Sequence, residues 1–313
     1  MPHILVSGSI AYDRIMDFPG HFRDHFLPHK LHAINVSFSV DGVEENFGGT
    51  AGNIAYSLAL LGLTPEIIST AGSDFAAYRE HLKQQGIVAD TVHIDSSKLA
   101  SSAYIITDKA DNQITAFSMG AGARAYEPFP GTEGCVYAIV GAGCVQDMRA
   151  LPAYYRKQNL PYFYDPAQQI PVLSADDLRK GIEGAEGLFA NDYELELIIK
   201  KTEWTEKELC GRTSLVIVTL GESGSRIMTK NSTERIKGVH VSNVVDPTGA
   251  GDAYRAGFIA GYIREVSPEI CARIGSVVAA YAVENYGTQN HHFTQEDIQK
   301  RYEDSYGESF TFE

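Results

Sequence analysis

The chain has 313 residues, 44% of them hydrophobic and 21% charged, enough to bury one sizeable α/β core. Its formal net charge of −14 argues against wrapping nucleic acid, whose affinity comes from basic side chains on phosphates. No apolar run is long enough to span a bilayer, and the amino terminus reads as a first strand and not as a secretory leader. The four cysteines, Cys135, Cys144, Cys210 and Cys271, show no metal-binding spacing, so they read as reduced thiols of a cytoplasmic protein, mostly packed in the core.

In chain order, His3–Ser7 is a β-branched strand ending at Gly8. Asn53–Leu61 has the small and apolar residues of a buried helix, with Gly62 behind it, and Glu66–Thr70 reads as the next strand. Ala76–Gln85 is a helix stopped at Gly86, and short apolar strands follow at Val136–Val140, Tyr162–Tyr164, Gly187–Ala190 and Leu215–Thr219. That rhythm predicts a mostly parallel sheet covered by helices on both faces. Two stretches break it. Residues from about Ala33 to Phe47 alternate apolar and polar, and Ala103–Thr107 with Gln113–Ser118 reads as a hairpin. They predict a small projecting β-sheet, a lid drawn from about residues 13–48 and 101–119, on a single domain spanning 1–313.

Function concentrates in VVDPTGAGDAY, Val244–Tyr254. A strand leads into a glycine turn and then a helix with small and apolar residues. Glycines let the backbone approach a ligand, and free amides at a helix start suit a phosphate. Asp252 beside them is placed to take a proton from an attacking hydroxyl. The plain alternative is a helix cap after a tight turn. The absence of G-x-x-x-x-G-K-[ST] excludes a P-loop. Near the amino terminus, NFGGTAGN carries Gly48 and Gly49 for close approach and Asn53 for a polyol, and Asp13 suits vicinal hydroxyls. Each also reads as a strand end or a helix cap. Asn191 and Glu194 of NDYE share a helix face and suit a water-mediated Mg²⁺, or merely cap a helix. Thr219 and Gly221 leave a strand where a nucleotide cleft would lie. Tyr137–Gln146 (YAIVGAGCVQ), with Asp165 further on, imitates a dinucleotide fingerprint, but Gln146 stands where the third glycine belongs, so a nicotinamide-dependent oxidoreductase is a distant alternative. His291 and His292 read as loop or surface.

Taken together, DPTGAGD, GGTAGN and NDYE, in that family's order over essentially the whole chain, resemble the ribokinase and adenosine kinase family, the PfkB carbohydrate kinases. The resemblance implies a ribokinase-like fold with a β-sheet lid, ATP as donor and Mg²⁺ as cofactor. It implies Asp252 as base, with Gly249, Ala250 and Gly251 as anion hole. Asp13, Gly49 and Asn53 would bind the acceptor, Asn191 and Glu194 would order Mg²⁺ and phosphates, and Thr219 and Gly221 would contact ATP. K⁺, which family members often need, would lie near Asp246 and Thr248. DNQITAFSMGAGARA and VENYGTQ are similar to the bacterial and archaeal adenosine or nucleoside kinases, in which an arginine matching Arg124 reaches the transferred phosphate. Ribokinases carry asparagine where this chain has Ala11, which favours a nucleoside over ribose. Adenosine 5′-phosphorylation is therefore the expected reaction, with another sugar as the alternative acceptor. Phe38, Phe117 and Met119 are candidates to stack on a base or to fill the lid's buried face. An exposed lid strand leaves a monomer or a homodimer open.

Overall fold

A computed structural model describes residues 2–26, 35–110 and 112–312. The elements run β1 (His3–Ser7), β2 (Ala11–Asp17), β3 (Glu44–Gly48), α1 (Thr50–Leu60), β4 (Thr64–Ile68), β5 (Thr70–Gly72), α2 (Ala76–Gln84), β6 (His93–Asp95), β7 (Ser101–Thr107) and β8 (Gln113–Ser118). The chain continues through β9 (Cys135–Val140), α3 (Val145–Lys157), β10 (Tyr162–Tyr164), α4 (Ala175–Ile182), β11 (Gly187–Asn191), α5 (Asp192–Thr202), α6 (Glu206–Leu209) and β12 (Leu215–Thr219). It ends with the β13 (Ser225–Met228) and β14 (Thr233–Ile236) hairpin and with α7 (Ala250–Ile263), α8 (Pro268–Val283) and α9 (Gln295–Tyr306).

Eight strands form the main sheet in the order β14-β13-β12-β11-β10-β9-β1-β4. From β4 to β12 neighbours are parallel, and β13 and β14 add an antiparallel edge. The central strands are apolar without a break because each of their faces is buried. Ile4, Val6, Ile139 and Ile217 pack on the side of α1, α7 and α8, whereas Leu5, Val140, Val216 and Val218 pack toward α3, α4 and α5. No helix among the described residues is long and apolar enough to cross a membrane. Three of the four cysteines are buried, Cys135 is partly so, and all four are free thiols.

A separate four-stranded sheet has the order β3-β2-β7-β8, with β2 and β7 parallel. It contains the expected hairpin, but it departs from the expectation in two ways. Its β2 was not foreseen, because Asp13 and Arg14 interrupt AYDRIMD. The alternating residues 35–40 form no strand, and this segment becomes a strand only at Glu44. Ala33 and Ile34 lie outside the described residues. The expected strand through Thr70 also divides: β4 ends at Ile68, and Thr70 opens β5, which pairs with β6 in a third sheet. Helix α1 begins three residues before Asn53, at Thr50.

Candidate active site

The carboxyl ends of β1, β10, β11 and β12 and the inner face of the small sheet enclose a cleft of about 720 Å³. Helix α7 brings its amino end into it. Gly249 is the N-cap residue with φ +77°, a left-handed conformation, and the Thr288 side chain crowds the place where its Cβ would stand. The helix therefore starts at Ala250, and Asp252 is in its first turn, not at the cap. The first-turn amides of Gly251 and Asp252 have no intrahelical acceptor, and no side chain of the N-cap residue supplies one.

Asp252 is held from α1. Asn53 Nδ2 donates to Asp252 Oδ2 at 2.8 Å, and Gln289 Nε2 donates to Asn53 Oδ1 at 3.0 Å. Gln289 in turn stands 3.0 Å from His81 Nε2 through its Oε1, so the amide's direction is fixed from behind. Burial pushes Asp252 up to about 6, against the pull of the Arg255 guanidinium and the Asn53 hydrogen bond. Across the cleft, β2 presents Asp13, also raised to about 6, by burial and by the neighbouring Asp246. Gly48, at the end of β3, is a glycine for a local reason: a Cβ there would collide with the Asp13 carboxylate. Gly49, with φ +90°, turns the chain from β3 into α1 so tightly that a Cβ would meet Ser9 O at 2.5 Å. Ile15, Ala103, Ile105 and Phe117 form the apolar wall of the small sheet beside Asp13.

At the other end of the cleft, Asn191 and Glu194 form a reciprocal cap on α5. Asn191 Oδ1 accepts from Glu194 N at 2.7 Å and Glu194 Oε2 accepts from Asn191 N at 2.8 Å. The capping alternative thus holds locally, yet both side chains also line the cleft, as do Thr219 and Gly221. Asp246 ties its own turn to the loop after α8, since its carboxylate accepts from Thr248 N at 2.9 Å and from Gly287 N at 3.0 Å. It and Thr248 line the cleft too.

Arg124 is not brought to this site. It is mostly exposed, 3.9 Å from Asp95, and lines a second hollow with His93 and Gln146. Phe38 is likewise absent from the cleft and packs against Phe18 and Phe22, and Met119 does not line it, so of the three aromatic or sulfur candidates only Phe117 does. His291 is fully buried, not a surface residue: it is 3.1 Å from Ser57 Oγ, and burial lowers it to about 4. Two residues were given no role from the sequence: Gln289, within VENYGTQ, and Arg255, within the helix that follows Asp252. Arg255 is buried, and its Nη2 donates to Asp165 Oδ1 at 2.8 Å.

The pfkB family carbohydrate kinase profile matches residues 1–295. The chain belongs to the PfkB family of carbohydrate kinases. It is 32% identical over 272 residues to the nucleoside kinase of Methanocaldococcus jannaschii, covering 86% of this chain and 89% of that one. The structure of Burkholderia thailandensis nucleoside kinase in complex with inosine superposes with a TM-score of 0.84 at 35% identity, covering 98% of this chain and 99% of that one. The same enzyme in complex with ADP-inosine gives 0.82 at 36% identity, covering 98% and 97%. This PfkB kinase is thus a phosphotransferase with the ribokinase-like fold. The nicotinamide alternative falls with that assignment, and the structure explains the imitation. Gly143 packs against the Gly8 backbone, where a Cβ would stand 2.8 Å from Gly8 C, and Asp165 pairs with Arg255.

Proposed function

We propose that this kinase transfers the terminal phosphate of ATP to the 5′-hydroxyl of a nucleoside, a purine such as adenosine or inosine. The observation that carries this is the Asp252 carboxylate beside unpaired helix-start amides, at the floor of a cleft whose far wall offers Asp13 and an apolar surface. Asp252 takes the hydroxyl proton as the oxygen attacks the terminal phosphorus, and the bond to the bridging oxygen breaks to release ADP. The amides of Gly249 and Gly251 offset the charge that builds on the transferring group, while that of Ala250 is turned back to Pro247 O at 3.3 Å. Asp13 accepts from two ribose hydroxyls, with Gly48, Gly49 and Asn53 shaping the space around them. The base lies on Ile15, Ala103, Ile105 and Phe117, and the triphosphate extends toward Asn191, Thr219 and Gly221. The inosine bound by the Burkholderia enzyme supports the purine reading.

Glu194 has one oxygen engaged in its cap and the other without a partner among the described residues, which suits a Mg²⁺ held through water. Such an ion would neutralise phosphate charge. No cluster of three metal-ligating side chains exists among the described residues, so most of its ligands would be phosphate and water. Asp246 and Thr248 would hold K⁺, each Asp246 oxygen keeping a lone pair beyond its amide bond. The small sheet acts as a lid that excludes water.

A coupled assay of ADP release over adenosine, inosine, cytidine, ribose and fructose, with and without K⁺, tests the reading. A purine nucleoside should give the highest kcat/KM, and ribose outrunning every nucleoside would overturn it. The pH profile is a second check. Asp252 and Asp13 must both be ionised, and both are raised to about 6. kcat/KM should therefore be full above pH 7 and fall as pH drops through 6, with a limiting slope steeper than one proton gives because both carboxylates must be ionised. Phe117→Ala should weaken nucleoside binding about tenfold, the scale of one lost stacking contact, with kcat little changed. Isothermal titration would read it.

A further inference from the structure

Five carboxylates line the cleft, those of Asp13, Asp192, Glu194, Asp246 and Asp252, and among the described residues lining it Arg255 supplies the one guanidinium or ammonium. A nucleoside triphosphate is itself a polyanion, so the place of that cation matters. Arg255 lies three residues after Asp252 on α7, on the same helix face. Its guanidinium is clamped from below. Nη2 donates to Asp165 Oδ1 at 2.8 Å, Nε stands 2.5 Å from Asp165 Oδ2, and the group lies 5.7 Å from the Phe189 ring centre. Asp165 is wholly buried directly after β10, its own amide fixed on Val140 O at 2.9 Å. Nη2 is thereby committed to a hydrogen bond, and Nε is held in ion-pair contact with the same carboxylate.

The third nitrogen, Nη1, has no hydrogen-bond partner among the described residues. It stands against the floor of the amide cup: a Cβ on Gly251 would lie 2.5 Å from it. The residue at 251 must be glycine for this cation to come so near the turn. The ion pair with Asp165 thus leaves a donor beside the helix-start amides, on the wall of the cleft.

We propose that Arg255 is a phosphate-contacting residue, its Nη1 donating to the phosphoryl group held at the Gly249–Gly251 turn, with Asp165 as the positioning residue that aims it. This rests on the kinase reading of the cleft. Arginine suits the task because its planar fork grips Asp165 with two nitrogens and still offers a third, which an ammonium does not.

The test is steady-state kinetics and nucleoside titration on the full chain, for Arg255→Lys and for the double variant Arg255→Met with Asp165→Asn. The double variant removes both charges of the pair, and because Asp252 also loses the pull of Arg255, kcat is compared on the high-pH plateau of each protein's pH profile, where Asp252 is ionised in both. This variant should melt within a few degrees of the wild type and keep its nucleoside Kd, while kcat falls roughly 100-fold, the scale of one lost donor at a developing anion. Arg255→Lys should lose about tenfold in kcat at unchanged nucleoside Kd. A folded double variant with kcat within threefold of wild type overturns the proposal. Should the double variant not fold, Arg255→Lys decides alone, and undiminished kcat there overturns it. A wild type inactive toward every alcohol would sink the kinase reading and this proposal with it. An active wild type beside a fully active variant sinks only the role of Arg255.

Discussion

Asp252→Asn should lower kcat by about two to four orders of magnitude, the range for loss of a general base, with nucleoside affinity changed only a few-fold. The substitution keeps the shape of the side chain and still offers an oxygen to Asn53 Nδ2, so the hydrogen bond at 2.8 Å has a successor. What disappears is the carboxylate proposed to accept the hydroxyl proton. Loss of folding is not an available explanation, because stability should move the other way. Burial raises the Asp252 carboxyl from 3.8 to about 6. The folded state therefore binds the proton more tightly than the unfolded chain does, and the wild type loses stability as pH rises from about 4 to about 6 and does not regain it above. At pH 7.5 the neutral variant should melt higher than the wild type, and at pH 4 the difference should close. Calorimetry at the two pH values checks the sign, and a stopped assay for nucleoside monophosphate checks turnover. Near-normal turnover would remove Asp252 from the chemistry.

The parts of the fold that were legible in the sequence are those where one physical requirement dominates. Strands β9 to β12 are buried on both faces, so they can be nothing but short apolar runs, and Ala138, Ile139 and Val140 show it. Strand β2 lacked that signature. One of its faces turns to the cleft, which Asp13 lines, and the Arg14 guanidinium pairs with Glu45 at 2.9 Å, so polar residues displace the apolar pattern. Residues 35–40 erred in the opposite direction. Alternation makes a strand only where a neighbour supplies hydrogen bonds. Phe38 spends its ring on Phe18 and Phe22, 4.8 and 5.2 Å away between centres, instead of on a sheet face.

The site divides in the same manner. Glycines advertise themselves, since Gly49 and Gly249 sit at φ values that other residues avoid, and the aspartates beside them could be located by that signal. Long-range partners leave no such mark. Gln289 reaches Asn53 across 236 positions of sequence, and Arg255 reaches Asp165 across 90. Arg124 shows the converse failure. Its neighbouring motif was visible, but which way a long exposed side chain points depends on Asp95, 3.9 Å away, and on no local rule.

Asp13→Ala should weaken nucleoside binding by about two to three orders of magnitude, with a smaller effect on kcat. A carboxylate accepting from two hydroxyls in a shielded place is worth on the order of 3–4 kcal/mol in all, and each 1.4 kcal/mol or so is a factor of ten. The burial that raises Asp13 to about 6 is also what makes those bonds strong once the charge forms. The test lies in the pairing of protein and ligand changes. The wild type should bind a 2′-deoxynucleoside tens-fold more weakly than its ribonucleoside, and in Asp13→Ala that preference should vanish, because the missing hydroxyl no longer has a partner to lose. Gly48→Ala supplies the complementary perturbation. It keeps the carboxylate but pushes on it, since the new Cβ would occupy its place, so affinity should fall while the preference for the 2′-hydroxyl shrinks without disappearing. An unchanged ribose-to-deoxyribose preference in Asp13→Ala would move the hydroxyl-binding role away from β2. The apolar wall of the small sheet would then be left as the only part of it that recognises the acceptor.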